Sequence, residues 1–547
     1  MTFGLPDLLV KILEARGISA ADLEAFLHPA LKDLASPREL PGIPEAAEAV
    51  LAVVRAHRPI VVFGDYDCDG VCATAILVRT LETLGAVVAS FLPERLTEGY
   101  GMSEASVARM LREHPDVSLV VTVDNGINSV APVAELKAKG VEVVVTDHHL
   151  AGSELPAARA IVNPKVAAPD RLQDLCGAGV AFLLANELVT RARAEGLYSG
   201  GNVAGPLLVL AGLATVTDVM PLLGQNRILV SEALSRFSAL APIGLRELHE
   251  RAARAAAARL TSKDFGFLLG PRINAAGRIA SGTVALDLVL ASDREIAREA
   301  AREVDERNGE RKAIEQRMLD AAVSAIVPDA AAQVIDLPGG HPGVAGIVAA
   351  RVMERLAPRS VPVCVVVDGH GSARAPEGYN VRDALAACAE HLDRFGGHAL
   401  AAGFSVKTGA TDAFRTAFAA ACAAQRGPSA AVETGLKVDA WIEPREITLD
   451  LAEAVSRLEP FGEGNPEPVF GFRGVVLREV RALGAEGKHL AFAAHGLKAI
   501  WWNRGDLVER LHASAAPVDL AFTLEISAYG EPHVELRIVS LTAGNVL

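Results

Sequence analysis

Four short apolar runs, Ile60 to Phe63, Val88 to Leu92, Leu119 to Val123 and Val141 to Val145, alternate with helix-like stretches such as Val71 to Leu84 and Val130 to Lys139. This alternation predicts a parallel sheet with helices on both faces, because parallel strands need long crossovers and the crossovers cover the sheet. In open sheets of this kind ligands gather beyond the carboxyl ends of the strands. The residues that follow these strands are acids and imidazoles. Gly64-Asp65-Tyr66-Asp67-Cys68-Asp69-Gly70 follows the first run, Asp124 the third and Asp147-His148-His149 the fourth, while Asp218 ends the apolar segment Leu207 to Thr217. One such residue alone is usually a cap or a turn former; clusters at several strand ends are not explained that way. Crowded carboxylates resist ionisation unless a cation neutralises them. A mixed oxygen and imidazole set suits Mn²⁺ or Mg²⁺, and the donors suffice for two ions, with Asp124 the candidate bridge between them. Two such ions stabilise charge during in-line attack on a phosphoryl group, which points to phosphoester hydrolysis.

The 547 residues, 50% hydrophobic and 22% charged, predict a globular protein of several domains. A net charge of −14 argues against a chain that coats nucleic acid or anionic membrane over its whole surface, though a local basic groove stays open. From Arg246 to Arg278 the balance inverts: Arg246, Arg251, Arg254, Arg259, Lys263, Arg272 and Arg278 outnumber Glu247, Glu250 and Asp264, as either a binding groove or a solvated helix face. Cys68, Cys72, Cys176, Cys364, Cys388 and Cys422 are too scattered for a disulfide framework, so a reducing cytoplasm is expected. No signal peptide is read. The longest apolar run, Val203 to Val216, falls short of the about 20 residues of a spanning helix, so no membrane partner is expected.

The chain divides, on this reading, into an N-terminal helical segment (1–45), a catalytic α/β domain (46–245), a helical connector with the basic stretch (246–326), a second α/β domain (327–428) and a β-rich domain (429–547). The charge-rich pattern from Asp293 to Ile326, interrupted only by Gly309, predicts a long helix joining two lobes. Val334 to Leu337, Val363 to Val367 and Gly403 to Val406 are the strands expected in the second lobe. Beyond Gly427-Pro428-Ser429, the runs Gly474 to Leu477, Leu490 to Ala493, Lys498 to Trp502, Ala521 to Ile526 and Val534 to Val539 suit a small β-barrel.

Gly64 to Gly70, Val123-Asp124-Asn125-Gly126-Ile127 and Asp147-His148-His149 resemble the signature motifs of the DHH phosphoesterase superfamily. Pro271 to Arg278, His341 to Ile347, Gly371-Ser372-Ala373-Arg374 and Gly396-Gly397-His398-Ala399 resemble the RecJ exonucleases of that superfamily, including their DHHA1 lobe, and Pro460 to Pro466 resembles the start of their OB-type domain. The resemblance implies an α/β protein in which a parallel-sheet DHH domain is joined by a long helix to a smaller DHHA1 domain, followed by an OB-like barrel. It implies a metal-dependent nuclease that digests single-stranded DNA from the 5′ end, with Mn²⁺ or Mg²⁺, releasing 5′-mononucleotides in recombination and repair, with a helicase and a single-strand-binding protein as partners.

Carried over residue by residue, Asp67, Asp69, Asp124, His148 and Asp218 become metal ligands. Asp65 and His149 join Asp124 as catalytic residues, either as further ligands or as contacts to the scissile phosphate. Some superfamily relatives carry a histidine where Phe63 stands, so Asp65 is expected to compensate. A terminal phosphate needs fork-shaped donors, which Arg374 and Ser372 supply, and Gly396-Gly397 lets backbone approach closely. Arg95, before Gly99-Tyr100-Gly101, resembles a position meeting the same phosphate; Asn274 and Arg278 are assigned to the DNA backbone. His341 and His398 are either structural or phosphate contacts. In the barrel, Lys488, His489, Trp501, Trp502, Arg504 and Tyr529 are candidates for holding the strand, with one of the adjacent tryptophans expected to face the core. A phosphodiesterase for oligonucleotides or cyclic dinucleotides, or a replication scaffold without activity, would share the fold; the tail and the intact ligand set disfavour each in turn, and an inorganic pyrophosphatase has no use for the tail.

Overall fold

The computed structural model describes residues 3–95, 97–99, 101–201, 203–253, 260–357, 360–425, 437–512, 516–527 and 531–542. Tyr100, Arg254, Arg259, Gly427-Pro428-Ser429 and Tyr529 lie outside the described residues.

The first sheet contains β1 (Ile60–Phe63), β2 (Val88–Phe91), β3 (Leu119–Thr122), β4 (Glu142–Thr146) and β5 (Ala160–Val162), all parallel in the order β2-β1-β3-β4-β5. Successive side chains of a strand point to opposite faces. Ile60 and Val62 accordingly join one core with Val50, Ile76 and Leu210, and Val61 and Phe63 join another with Met102, Val107 and Val133. Covering both faces with helices buries β1 and β3 completely, and only the closing Thr122 of β3 is polar. The apolar stretch near residue 210 forms the helix Ala204–Thr217, whose middle is buried in this core. No single described helix is long and apolar enough to cross a membrane.

A 31-residue helix, Arg294–Ser324, leaves the catalytic lobe; Asp293 caps it by accepting from the amides of Glu295 and Ile296. Its first half packs on the helices Ile243–Ala252 and Thr283–Leu290, and its end on Ala345–Arg355 of the second lobe. It also answers the question of the basic stretch. Arg251 and Arg272 both pair with Asp305 on this helix, and Lys263 pairs with Glu467, so much of that charge is neutralised within the fold.

The second sheet has β6 (Gln333–Asp336), β7 (Val363–Val367), β8 (His370–Arg374), β9 (Leu392–Gly397) and β10 (Ala401–Val406), in the order β6-β7-β8-β10-β9 with only β6 and β7 parallel. The third is seven-stranded: β11 (Ala440–Trp441), β12 (Phe470–Val475), β13 (Arg478–Leu483), β14 (His489–Ala494), β15 (Leu497–Trp501), β16 (Val518–Ser527) and β17 (His533–Thr542), ordered β11-β12-β16-β17-β15-β14-β13. Its core takes in Leu9, Ile12, Leu13 and Phe26 from the N-terminal helices beside Phe470, Leu520 and Phe522. The N-terminal segment, set apart in the sequence, thus packs on the C-terminal domain. Arg227, 2% exposed, fastens the junction: it donates to the carbonyls of Phe26, Leu458, Glu459 and Pro460 and stacks 3.7 Å from the Phe26 ring.

Candidate active site

The chain turns abruptly where β1 and β3 end, and those turns place the acids. Asp67 caps the helix Cys68–Thr83 by accepting from the Gly70 amide at 3.0 Å. Asp69, in the first turn of the same helix, accepts from the amides of Gly177 and Ala178 at 2.7 and 2.8 Å, so it also holds the start of the helix Gly177–Ala194. Asp124 has φ 62°, a left-handed conformation that aspartate tolerates better than most residues. Gly177 is needed beside it, since a Cβ there would lie 2.6 Å from the Asp124 Cβ. Asp218 follows the last turn of Ala204–Thr217, so a helix rather than a strand delivers it.

These residues converge. His148 Nε2 lies 3.1 Å from Asp124 Oδ1 and 3.6 Å from both Asp69 Oδ2 and Asp218 Oδ2. Three ligand triads form, each with its donor atoms within 4.8 Å of one another: Asp65, Asp67 and Asp124; Asp124, His148 and His149; Asp69, His148 and Asp218. Asp124 belongs to two of them, the placement a bridging carboxylate would need. Both oxygens of Asp65, Asp124 Oδ1 and Asp218 Oδ2 are buried without a hydrogen-bond partner. Such orphaned acceptors are costly unless a cation meets them. Burial, reinforced by Asp67, pushes the Asp65 carboxyl well up; burial and Asp69 do the same for Asp124, and raise Asp218 to about 9. Burial lowers His148 and keeps its imidazole neutral, as a ligand must be. The donor set and the orphaned oxygens therefore fit divalent cations. Phe63 packs in the core against Phe91, ring centroids 5.0 Å apart, and offers no ligand, whereas Asp65 beside it is wholly buried with both oxygens unmet.

Sequence reasoning missed the role of Asp147. Its carboxylate accepts from the amides of Ile127, His148 and His149 and lies 2.7 Å from His149 Nδ1, fixing the imidazole's orientation. Burial alone would raise its pKa, but the His149 contact and these amides outweigh it and hold the carboxyl below its ordinary value. The available signal was its position as the first residue of the Asp-His-His run.

Beside the acids lies a cationic cluster. Burial, and then Arg95, depress the pKa of Arg278 (to about 10), Arg374 and His341, so all three of these basic side chains feel Arg95. Arg278 also senses Asp67, which places it between the two clusters. The Arg95 guanidinium sits 5.2 Å from the centre of the Tyr66 ring, in the acidic loop itself. Arg374 lies against the start of Ala345–Arg355, where a Cβ on Gly346 would come within 2.7 Å of its Nη2. His341 Nδ1 accepts from the Gly343 amide at 3.2 Å, a cap that leaves its other nitrogen uncommitted to the turn. Asn274 Oδ1 accepts from the Cys68 amide at 2.7 Å, so this residue anchors the acidic loop. Ser372 shares β8 with Arg374, two residues away and on the same face of the sheet. Gly397 and His398 lie at the exposed turn between β9 and β10, two strand spacings from β8. Gly397 has φ 133° and serves its own turn, where a Cβ would meet the Ala401 carbonyl at 2.5 Å.

On the third sheet Trp501 is 9% exposed and Trp502 49%, so the second tryptophan faces outward. His489 meets Trp502 edge-on with centroids 4.5 Å apart, Arg537 lies 5.1 Å from its ring, and Arg504 stacks on Trp501 at 4.5 Å. Trp441, 45% exposed and covered by Arg473 at 4.5 Å, forms a second such pair that the sequence reading did not include.

Three family models match in chain order: the DHH family N-terminal domain over residues 59–203, the DHHA1 domain over 319–424 and the RecJ OB domain over 438–540. The single-stranded-DNA-specific exonuclease RecJ of Thermus thermophilus is 40% identical over 506 residues, covering 92% of this chain and 71% of that protein. Its Escherichia coli counterpart is 37% identical, covering 85% and 83%, and the chain spans 64% of the length of the Bacillus subtilis one. The crystal structure of T. thermophilus RecJ in complex with Mn²⁺ superposes with a TM-score of 0.85 at 34% identity, over 100% of this chain and 77% of that one. Identity at this level, spread over all three matched regions and carried by the same architecture, makes the chain a member of the RecJ family of single-stranded-DNA-specific exonucleases.

Proposed function

We propose that the protein removes nucleotides one at a time from the 5′ end of single-stranded DNA, with Asp65, Asp67, Asp69, Asp124, His148, His149 and Asp218 holding two Mn²⁺ or Mg²⁺ ions. The observation that carries this reading is adjacency: the orphaned carboxylates and the clustered arginines share Tyr66 and Arg278 as their common border. Bound ions supply neutralisation of phosphoryl charge and a lowered pKa for water. The chain's own residues supply position. Arg95, Arg278 and Arg374 take the terminal phosphate through charge-assisted hydrogen bonds, with His341 and Ser372 beside them. That grip sets the next phosphodiester against the acidic centre, at near-attack geometry. Asp147 keeps His149 oriented toward Asp124.

Water attacks the phosphorus between the first and second nucleotides, and the bond to the 3′-oxygen of the first nucleotide breaks. A water proton ends on that 3′-oxygen and the hydroxyl stays on phosphorus. The product is a 5′-mononucleotide and a strand with a new 5′-phosphate, which fits the same arginines and so supports successive rounds. The outward Trp502 and its basic neighbours support a holding surface for the remaining strand. A helicase and a single-strand-binding protein are proposed as the partners that supply such strands in recombination and repair, and six buried free thiols support a reducing, cytoplasmic setting.

Strands labelled at either end, offered with Mn²⁺, Mg²⁺ or chelator, test the reading. Early release of the 5′ label as a mononucleotide, abolished by chelator, is expected. Release of the 3′ label first would overturn the polarity, and activity in chelator the metal assignment.

A further inference from the structure

Residues 458–467 lie within the C-terminal domain, between the helix Leu449–Ser456 and β12, and several contacts pin them to the segments on either side of Asp218. The Leu222 amide donates to the Glu463 carbonyl at 2.8 Å. A Cβ on Gly462 would lie 2.7 Å from Leu222 Cδ1, and one on Gly464 would lie 3.2 Å from Pro221 Cβ. Ser262 Oγ donates to the Phe461 carbonyl at 2.5 Å. The segment that begins there continues to Gly270, where a Cβ would meet Thr217 Cγ2 at 2.2 Å. Thr217 before Asp218, and Pro221 and Leu222 after it, are therefore packed against the loop or against the segment that bonds to it.

The loop is stiff in its own right. Gly462 and Asn465 exchange backbone hydrogen bonds at 3.0 and 3.2 Å, and the wholly buried Asn465 amide donates to the Leu458 and Pro460 carbonyls, each at 2.9 Å. The residue after Asp218, Val219, has φ 56° and is 65% exposed. A β-branched residue in the left-handed region is strained and persists only where its surroundings impose it. Here the helix end holds it, the Val219 amide donating to the Val216 carbonyl at 3.2 Å and the Met220 amide to the Thr215 carbonyl at 3.1 Å, and the packed loop then grips Pro221 and Leu222 just beyond.

We propose that the loop Pro460 to Pro466 is a positioning element of the metal centre: through Pro221, Leu222 and Ser262 it fixes the Asp218 carboxylate. The C-terminal domain then serves metal binding as well as strand holding. This rests on the reading of Asp218 as a ligand. Gly462, Asn465 and Leu222 are positioning residues, and none touches substrate or ion.

The test is Mn²⁺ affinity of the full chain, read from the free-ion signal in electron paramagnetic resonance. Gly462→Val should weaken Mn²⁺ by about tenfold, the effect typical of lost second-sphere support. It should slow cleavage of a 5′-phosphorylated dinucleotide, which leaves no strand to reach the third sheet, as much as cleavage of long strands. Trp502→Ala should slow only the long strands. Adding Leu222→Ala to Gly462→Val should restore part of the affinity by making room for the new methyls. A folded Gly462→Val protein with wild-type Mn²⁺ affinity overturns the proposal. If that variant does not fold, Ser262→Ala replaces it, and unchanged affinity there has the same meaning. Asp218→Asn separates the two readings: unchanged Mn²⁺ affinity in it overturns the ligand assignment, whereas a loss in Asp218→Asn without one in Gly462→Val overturns only the role of the loop.

Discussion

Asp124 combines a left-handed backbone, a buried carboxylate with an unmet oxygen and membership of two ligand triads. Removing its carboxylate should lower turnover by about 10²–10³ while leaving strand binding, proposed to rest on the arginines and the third sheet, nearly intact. Single-turnover digestion and a filter-binding assay on Asp124→Ala check this, and retained turnover would sink the bridging assignment. The same crowding sets a pH dependence. Asp65, Asp124 and Asp218 have folded-state values raised above their unfolded ones, Asp218 from 3.8 to about 9. For acids shifted upward, stability is fully present below the unfolded value and lost as pH rises through the folded value. Metal-free protein should therefore melt at progressively lower temperature as pH rises toward 9. Mn²⁺ must displace those protons, so its affinity should climb over the same window, with proton release visible by calorimetry in buffers of different ionisation enthalpy. A flat melting profile in chelator would contradict the assignment.

Elements differ in how much they owe to local sequence. The helix Arg294–Ser324 carries Gly309 in a helical position where a Cβ would meet nothing within 4 Å. Gly309→Ala should therefore stabilise the protein by about 0.5–1 kcal/mol, through helix propensity and a less free unfolded chain, with activity unchanged; denaturant melts decide. β1 and β7 were legible to the residue because buried parallel strands are uninterrupted apolar runs. β8 and β9 were not: His370-Gly371-Ser372-Ala373-Arg374 and the glycine-rich end of β9 have no apolar pattern, and only their neighbours in the sheet make them strands. β13 was missed for the same reason, since four of its six residues, Arg478 and Arg481 among them, are exposed along a sheet edge and none is fully buried. At the site, the acids after β1, β3 and β4 were visible because the strands point at them. Asn274 anchoring Cys68 and Asp147 orienting His149 were hidden, since each acts through one hydrogen bond that spacing does not encode.

Across the whole molecule the decisive residue is Arg227, whose donors reach Phe26 on one side and residues 458–460 on the other. Removing it leaves several buried carbonyls unmet, at about 1–3 kcal/mol for each group left without a partner. Arg227→Met should lower the melting temperature and uncouple the melting of the C-terminal domain from that of the catalytic lobe; one sharp, unshifted transition by calorimetry would refute the clasp. That clasp and the core shared by Leu9, Ile12 and Phe26 with Phe470 and Leu520 also govern the order of assembly. On the ribosome the N-terminal helices are made more than four hundred residues before the strands with which they share a core. A segment made early is thus completed late, and it stays open to chaperones and proteases while the residues between are synthesised.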